Sequence, residues 1–126
     1  MSQPQLLDSP TQEGRILSAA IARIASCWAL TNDQIGNTLG ISSASASRLK
    51  AGTYQVKRGD KSFELGQYLL RLFRSLDALL GSDDLAARSW LRTVNLDLNA
   101  KPIDLIASVR GLTMLADYVD DHRARV

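Results

Sequence analysis

The sequence predicts an all-α fold, in which a helix-turn-helix lobe is joined by a long helix to a small C-terminal lobe of three helices. Apolar residues recur at helical spacing through most of the 126 residues, and no segment shows the strict alternation of a β-strand. Glycines and capping residues stand at the ends of these periodic segments. The predicted units are a disordered arm at 1–13, a helix-turn-helix domain at 14–61, a connecting or dimerising helix at 62–81 and a C-terminal domain at 82–126.

Residues 1–13 are expected to be disordered because they are polar and contain two prolines. They lack the basic start and apolar block of a signal peptide, so none is predicted. From Gly14 to Leu30, by contrast, apolar residues recur at helical spacing, and this helix is expected to support the motif that follows. Its inward residues are Leu17, Ile21, Ile24 and Trp28.

The segment from Thr31 to Gly52 has the pattern of a helix-turn-helix. Thr31 can cap the first helix, and Gln34, three residues later, can complete a capping box. Gly40 ends that helix, Ser42 can cap the second, and Gly52 favours the left-handed conformation that ends it. The residues expected to face the core are Ile35, Leu39, Ile41 and Leu49.

The second helix of this motif carries mostly short or basic outward residues, which suit close approach to the DNA major groove. Serine can contact phosphates or base edges, alanine can meet a thymine methyl, and arginine and lysine supply positive charge. Five basic residues lie between Arg48 and Lys61 against the single acid Asp60. The alternative is a purely structural helix pair. The predicted DNA-binding residues are Ser42, Ser43, Ser45, Ala46, Ser47, Arg48, Lys50, Lys57 and Arg58.

The whole chain has a net charge of only +2, which is small for strong non-specific DNA binding by one copy. A homodimer would double the number of neutralised phosphates and place two recognition helices on one duplex. We therefore expect double-stranded operator DNA as a ligand and a homodimer as the form that binds it.

After Lys61, Ser62 is expected to cap a long helix that runs through Leu80 and ends at Gly81. Its apolar stripe is wide enough to contact more than one partner, so the helix is expected to connect the two halves. The stripe consists of Leu65, Leu69, Leu72, Phe73, Leu76, Leu79 and Leu80.

The C-terminal lobe begins where Ser82, followed by Asp83 and Asp84, provides a cap and first-turn acids for a helix that ends at about Val94. The next signals are turns at Asn95 and Asn99.

Pro102 suits the first position of a second short helix, and Ser108 can cap the last one. Gly111 lies in the first turn of that last helix, where a missing side chain permits close packing, with Trp90 as the expected neighbour. The expected inner face consists of Leu112, Leu115 and Val119.

Composition argues against catalytic and metal sites. The chain has one cysteine, Cys27, and one histidine, His122, so a single copy can form neither a disulfide nor a Cys/His metal site. Cys27 is expected to be a buried, unreactive thiol. No constellation of nucleophile, base and orienting group can be named, so we expect no enzyme activity and no cofactor. No apolar run approaches the roughly 20 residues that span a membrane, and a lone thiol suits the reducing cytoplasm.

One arrangement in the C-terminal segment is specific. A Trp-Leu pair is followed by an Asn, a Leu three residues later, a Pro that begins a helix and a Gly that opens the last helix. This pattern resembles the C-terminal domain of the MbcA/ParS/Xre antitoxin family, in which an Xre-like helix-turn-helix precedes it. The positions that carry the resemblance are Trp90, Leu91, Asn95, Leu98, Pro102, Leu105 and Gly111.

The resemblance implies an antitoxin of a type II toxin–antitoxin system, which binds a cognate RES-domain toxin and represses its own operon. The toxin would degrade NAD or ADP-ribosylate a protein, and the antitoxin's C-terminal domain would cover the toxin's NAD site. Trp90 would either contact the toxin or only anchor the lobe. The toxin-binding residues implied are Trp90, Asn95, Pro102, His122, Arg123, Arg125 and Val126.

The tail after Val119 fits this implied role, because Arg123, Arg125 and the Val126 carboxylate could enter a site that holds a dinucleotide. A frayed terminus is the alternative. The alternative function is a free-standing Xre-like transcriptional repressor, whose C-terminal lobe dimerises or senses an effector.

Overall fold

A computed structural model describes residues 11–124 of the chain. Helices follow one another through this part, which contains no strand, so the all-α prediction is confirmed. An isolated antiparallel bridge joins Asn95 to Ala100. The helices are α1 (Gln12–Cys27), α2 (Asn32–Leu39), α3 (Ser43–Ala51), α4 (Lys61–Leu80), α5 (Asp84–Arg92), α6 (Pro102–Leu105) and α7 (Val109–Ala124).

Helix α1 begins slightly earlier than the sequence suggested. The Thr11 hydroxyl caps it by accepting a hydrogen bond from the Gly14 N–H at 2.9 Å. Thr11 to Glu13 therefore belong to the cap and the first turn, whereas the predicted disorder of residues 1–10 lies outside the described part. The inward residues are buried as predicted: Leu17, Ile21, Ile24 and Trp28.

The helix-turn-helix is confirmed as α2 and α3. Thr31 and Gln34 form the expected capping box, in which each side chain accepts a hydrogen bond from the other residue's backbone N–H. Gly40 and Gly52 end the two helices in left-handed conformations, with φ of 71° and 83°. Ser42 caps α3 by accepting from the Ser45 N–H at 3.0 Å. The expected core residues Ile35, Leu39 and Leu49 are buried, and Ile41 is partly buried against them.

The segment between α3 and α4 is anchored on α1 by Val56. This side chain is fully buried, and its N–H donates to the buried Ser18 hydroxyl at 2.8 Å. Its carbonyl oxygen lies against Gly14, where a Cβ would come within 2.5 Å of that oxygen. The anchor fixes the basic residues that follow Val56 beside the start of α1.

Helix α4 lies at the centre of the fold and contacts α1 and α2 on one side and α5 and α7 on the other. The predicted leucine stripe is therefore covered within one chain. Ser62 does not cap the helix, because the helix already begins at Lys61 and Ser62 is buried in its first turn. Of the stripe, the fully buried members are Leu69, Leu72 and Leu76, Leu65 is nearly so, and Phe73, Leu79 and Leu80 are partly buried.

The cap of α5 is Asp83 rather than Ser82. The Asp83 carboxylate accepts from the Ala86 N–H at 3.0 Å, whereas the Ser82 hydroxyl donates to Asp77 at the end of α4. The helix ends at Arg92, two residues before the expected end, because Thr93 is extended.

The last two helices begin as predicted, with Pro102 as the first residue of α6 and the Ser108 hydroxyl accepting from the Gly111 N–H at 3.0 Å. Gly111 does permit close packing, but the expected neighbour was wrong. The turn between α6 and α7 places the Leu105 carbonyl oxygen 2.0 Å from where a Gly111 Cβ would lie, so the close neighbour is Leu105 and not Trp90. The expected inner face is buried: Leu112, Leu115 and Val119.

Two arginines of α5, Arg88 and Arg92, attach the C-terminal half to the end of α1. Arg88 donates to the Cys27 carbonyl at 2.8 Å, and Arg92 donates to the Trp28 carbonyl at 2.8 Å. Carbonyl groups at a helix C-terminus have no N–H partner within the helix, and positive charge is favoured there. In this arginine clamp, side chains 61 and 64 residues later in the chain supply hydrogen-bond donors for the free carbonyl groups at the end of α1. The sequence did not predict it.

A second polar connection joins α4 to α7. Arg71 donates to Asp117 at 2.6 Å and to Asp120 at 2.8 Å, and the Ser75 hydroxyl also donates to Asp120. The Ser75 and Arg71 hydrogen bonds hold the pKa of Asp120 below its ordinary value. Asp120 is therefore ionised at neutral pH and contributes to the docking of α7.

Replacing Asp120 with Asn should destabilise the fold at neutral pH, because an amide cannot replace the carboxylate that both partners bind. Since the pKa of Asp120 is lower in the folded chain than in the unfolded chain, its stabilisation is present at pH 7 and is lost as the pH falls below about 4. We expect the unfolding free energies of the wild type and Asp120→Asn, measured in urea, to differ at pH 7 and to converge on acidification.

The control is Glu64→Gln, which changes an exposed carboxylate on α4. Its effect should be small at every pH. A gap between wild type and Asp120→Asn that stays constant down to about pH 3, well below the ordinary pKa of Asp, would contradict the assigned role of the carboxylate.

Candidate functional site

Helix α3 presents a row of short and basic side chains away from the core. Its exposed residues include Ser43, Ala44, Ser47, Arg48 and Lys50. This row contains no large apolar side chain, so a nucleic-acid groove could approach the helix closely.

The prediction that Ala46 contacts DNA was wrong. Its side chain is fully buried, because it lies three residues before the buried Leu49 and therefore shares that residue's side of α3. In the first turn of this helix the exposed alanine is Ala44, which the sequence-based prediction left out.

Three of the predicted contact residues are bonded to one another at the start of α3. The Ser42 hydroxyl donates to the Ser45 hydroxyl oxygen at 3.0 Å, and Arg48 donates to the same oxygen at 3.1 Å. These bonds hold the Arg48 guanidinium over the first turn, beside backbone N–H groups that favour an anion such as a phosphate. Ser45 is half-buried and serves to position Arg48.

The remaining predicted basic residues lie next to α1. Lys50 lines a shallow groove between α1 and the end of α3, together with Arg15 and Gln55. Lys57 is exposed, and Arg58 pairs with Glu13 at 3.2 Å, with both side chains mostly exposed. Such a solvent-exposed pair is weak, so Arg58 can exchange Glu13 for a phosphate at little cost.

The residues predicted for toxin binding lie in different environments. Pro102 is buried at the start of α6, so its ring is not available to a partner. Trp90 is half-buried and packs against the core, which agrees with a role as anchor of the C-terminal helices. Asn95 accepts hydrogen bonds from the Asp97 and Leu98 N–H groups and so shapes the turn that it opens.

At the end of α7, His122 packs on Tyr118, with ring centroids 4.2 Å apart, and its Nδ1 lies 3.0 Å from the Tyr118 carbonyl oxygen. Arg123 is exposed and lines a groove between α4 and α7 with Arg71 and Arg74. The predictions for Arg125 and Val126 lie outside the described residues.

A feature that the sequence did not predict is the distribution of exposed apolar side chains. Before α5, the described chain exposes one large apolar residue, Ile16. The others lie in the C-terminal half, where Leu96 is 90% exposed. They are Leu85, Val94, Leu96, Val109 and Met114.

The single thiol lies at the edge of a groove between α1 and α4 and is only partly buried, in contrast to the expected full burial. Burial and the nearby Asp84 carboxylate raise the pKa of Cys27, so the thiol is protonated at neutral pH and a poor nucleophile. Residues 11–124 hold no group of three or more potential metal-ligating His, Cys, Asp or Glu side chains. None of the helices described is both long and apolar enough to cross a bilayer.

Two family profiles match the chain. Residues 10–71 match the antitoxin Xre-like helix-turn-helix domain, and residues 75–125 match the antitoxin Xre/MbcA/ParS C-terminal toxin-binding domain. The boundary between the two matches falls inside α4, so both matched regions use the same helix. No curated protein matches the chain.

Replacing both Arg48 and Lys50 with Ala should weaken binding to duplex DNA from the promoter of the chain's own operon. Each lost phosphate contact should also make the negative slope of log affinity against log salt shallower by about one. Fluorescence anisotropy over a range of salt concentrations measures both quantities.

Lys101→Ala is the matched control, because Lys101 is an exposed basic residue in the C-terminal half. It should leave the affinity and the slope unchanged. If the double variant also binds with unchanged affinity and slope, the exposed face of α3 is not the DNA-binding surface.

Proposed function

Because this chain belongs to the Xre/MbcA/ParS antitoxin family, we propose that it is the antitoxin of a type II pair whose toxin is a RES-domain enzyme acting on NAD. The observation that carries this proposal is the presence of an antitoxin helix-turn-helix domain and a toxin-binding domain on one chain. Family membership by itself makes the chain an antitoxin with a toxin partner and a DNA-binding motif. The RES identity of the toxin and its substrate are the parts that we propose.

On the DNA side, we propose that the chain represses its own operon as a cytoplasmic homodimer. The exposed face of α3 and the hydrogen-bonded Arg48 support contact with a duplex. The modest net charge of +2 supports two copies, since one chain neutralises few phosphates. Two α3 helices on one duplex would then read a site with two-fold symmetry.

On the toxin side, the proposed mechanism is occlusion of the NAD site. The antitoxin would need no chemistry of its own, because covering the site excludes the dinucleotide. The exposed Arg123 at the end of α7 supports this, since a guanidinium can pair with carboxylates or hydroxyls that otherwise face the substrate. The reaction itself, whether NAD degradation or ADP-ribosylation of a protein, would belong to the toxin.

The direct test is co-expression of this chain with the product of the neighbouring gene. We expect the two to co-purify, the neighbour alone to stop growth and lower cellular NAD, and the pair to restore both. A complex with growth rescue but unchanged cellular NAD would exclude NAD degradation, and ADP-ribosylation, which uses only one NAD per modified protein group, would then be tested by the appearance of an ADP-ribosylated protein. No complex and no toxicity would favour the alternative, a free-standing Xre-like repressor whose C-terminal half dimerises or senses an effector.

Deleting residues 125–126 should relieve inhibition of the toxin if the tail occupies its NAD site. The truncation retains Asp120 and its hydrogen bonds to α4, so the fold and DNA binding should be unchanged. NAD consumption by the purified complex is the measurement. Arg110→Ala, at the other end of α7, is the control and should inhibit like wild type. Full inhibition by the truncated chain would place the inhibitory contact elsewhere in the C-terminal domain.

A further inference from the structure

The turn between α5 and α6 holds one apolar side chain out into solvent. Leu96 is 90% exposed, whereas Leu98, two residues later, packs against the core. Burying a leucine side chain is favourable, so Leu96 in this exposed position does not contribute that stabilisation to the isolated chain. Val94, which precedes the turn, is also half exposed.

This turn is fixed by its own backbone and by Asn95. The Asn95 N–H donates to the Ala100 carbonyl at 2.9 Å, and the Asn99 N–H donates to the Asn95 carbonyl at 2.7 Å. The Asn95 side-chain oxygen accepts from the N–H groups of Asp97 and Leu98, at 2.9 and 3.2 Å. Leu96 is therefore presented on a rigid support.

The turn is also attached to α7. The Tyr118 hydroxyl donates to the Asp97 carboxylate at 2.8 Å. Burial and this hydrogen bond raise the pKa of Tyr118, so the hydroxyl keeps its proton at neutral pH and remains a donor. Asp97, the residue next to Leu96, is thus held through its backbone N–H by Asn95 and through its carboxylate by Tyr118.

We propose that Leu96 is an anchor residue for the toxin and inserts into an apolar pocket on the toxin surface; this inference rests on the proposed function. The toxin is the expected partner because the turn lies within residues 75–125, the region that matches a toxin-binding domain. Exposed apolar residues concentrate in this same region, with Ile16 as the sole counterpart before α5 in the described chain. Because the turn is already ordered, binding loses little conformational entropy there.

The test compares full-length variants in their binding to the toxin encoded by the adjacent gene, purified from the co-expressed complex. Leu96→Ser should raise the Kd at least about tenfold, as expected when a central apolar anchor is truncated. Leu96→Met, which keeps an apolar side chain of similar volume, should stay close to wild type. Asn95→Ala keeps Leu96 but removes two hydrogen bonds of the turn, so it should weaken binding as well.

Ile16→Ser is the matched control, because it removes an exposed apolar side chain outside the toxin-binding region. It should bind the toxin like wild type. Thermal unfolding and DNA binding should be unchanged for both serine variants, which shows that they are folded.

The outcomes separate the two proposals. If wild type binds the toxin and Leu96→Ser binds equally well, the anchor is overturned while the proposed function stands. If wild type does not bind the toxin at all, the proposed function fails and the anchor fails with it. Equal losses for Leu96→Ser and Ile16→Ser would also overturn the anchor, since the effect would then not be specific to the turn.

Discussion

The structure depends on the burial of α4 from two directions. Gly66 lies against α1, where a Cβ would come within 2.8 Å of Ile21, whereas Arg71 and Ser75 reach α7 from the same helix. Between them, Leu69 and Leu72 are fully buried. Each such leucine contributes about 1.5–3 kcal/mol when fully buried. Because α4 contacts both the helix-turn-helix and the C-terminal helices, the two halves are held by the same helix.

Apolar burial has no direction, and the relative placement of the two halves is set by polar contacts at the edges of this core. The arginine clamp fixes α5 against the end of α1, and the Arg71–Asp120 contact fixes α7 against α4. Arginine suits both places, because its planar group of donors can bind two acceptors at once. The face of α3 and the turn that carries Leu96 are consequently parts of one body, although they belong to different matched regions.

The helix-turn-helix could be predicted closely from local signals. Thr31 and Gln34 form hydrogen bonds with each other, and Gly40 ends the helix by its own left-handed conformation, so none of them depends on distant parts of the chain. The same kind of signal was less decisive at the starts of α4 and α5. Ser62 was predicted to cap α4 but lies inside the helix. At α5, Ser82 and Asp83 are both good caps, and only the packed structure decides between them.

Among the candidate site residues, the burial of Ala46 was predictable, since it lies three residues from Leu49 and shares its side of a helix. The contacts that sequence could not supply join distant segments. The arginine clamp, whose partners are 61 and 64 residues apart, can be identified only once the chain is folded. The exposure of Leu96 is of the same kind, because one leucine of a turn faces inward and another outward only when the turn is oriented on α7.

The position of α4 across the boundary of the two matched regions has a consequence for how the protein loses its activities. A single core of this size usually unfolds in one cooperative step, without a state in which one half survives. A protease that traps the opened chain would then abolish promoter occupancy and toxin neutralisation together. Under the proposed function, derepression of the operon and release of the toxin would occur at the same moment, so resynthesis of the pair would begin as soon as the existing antitoxin is destroyed.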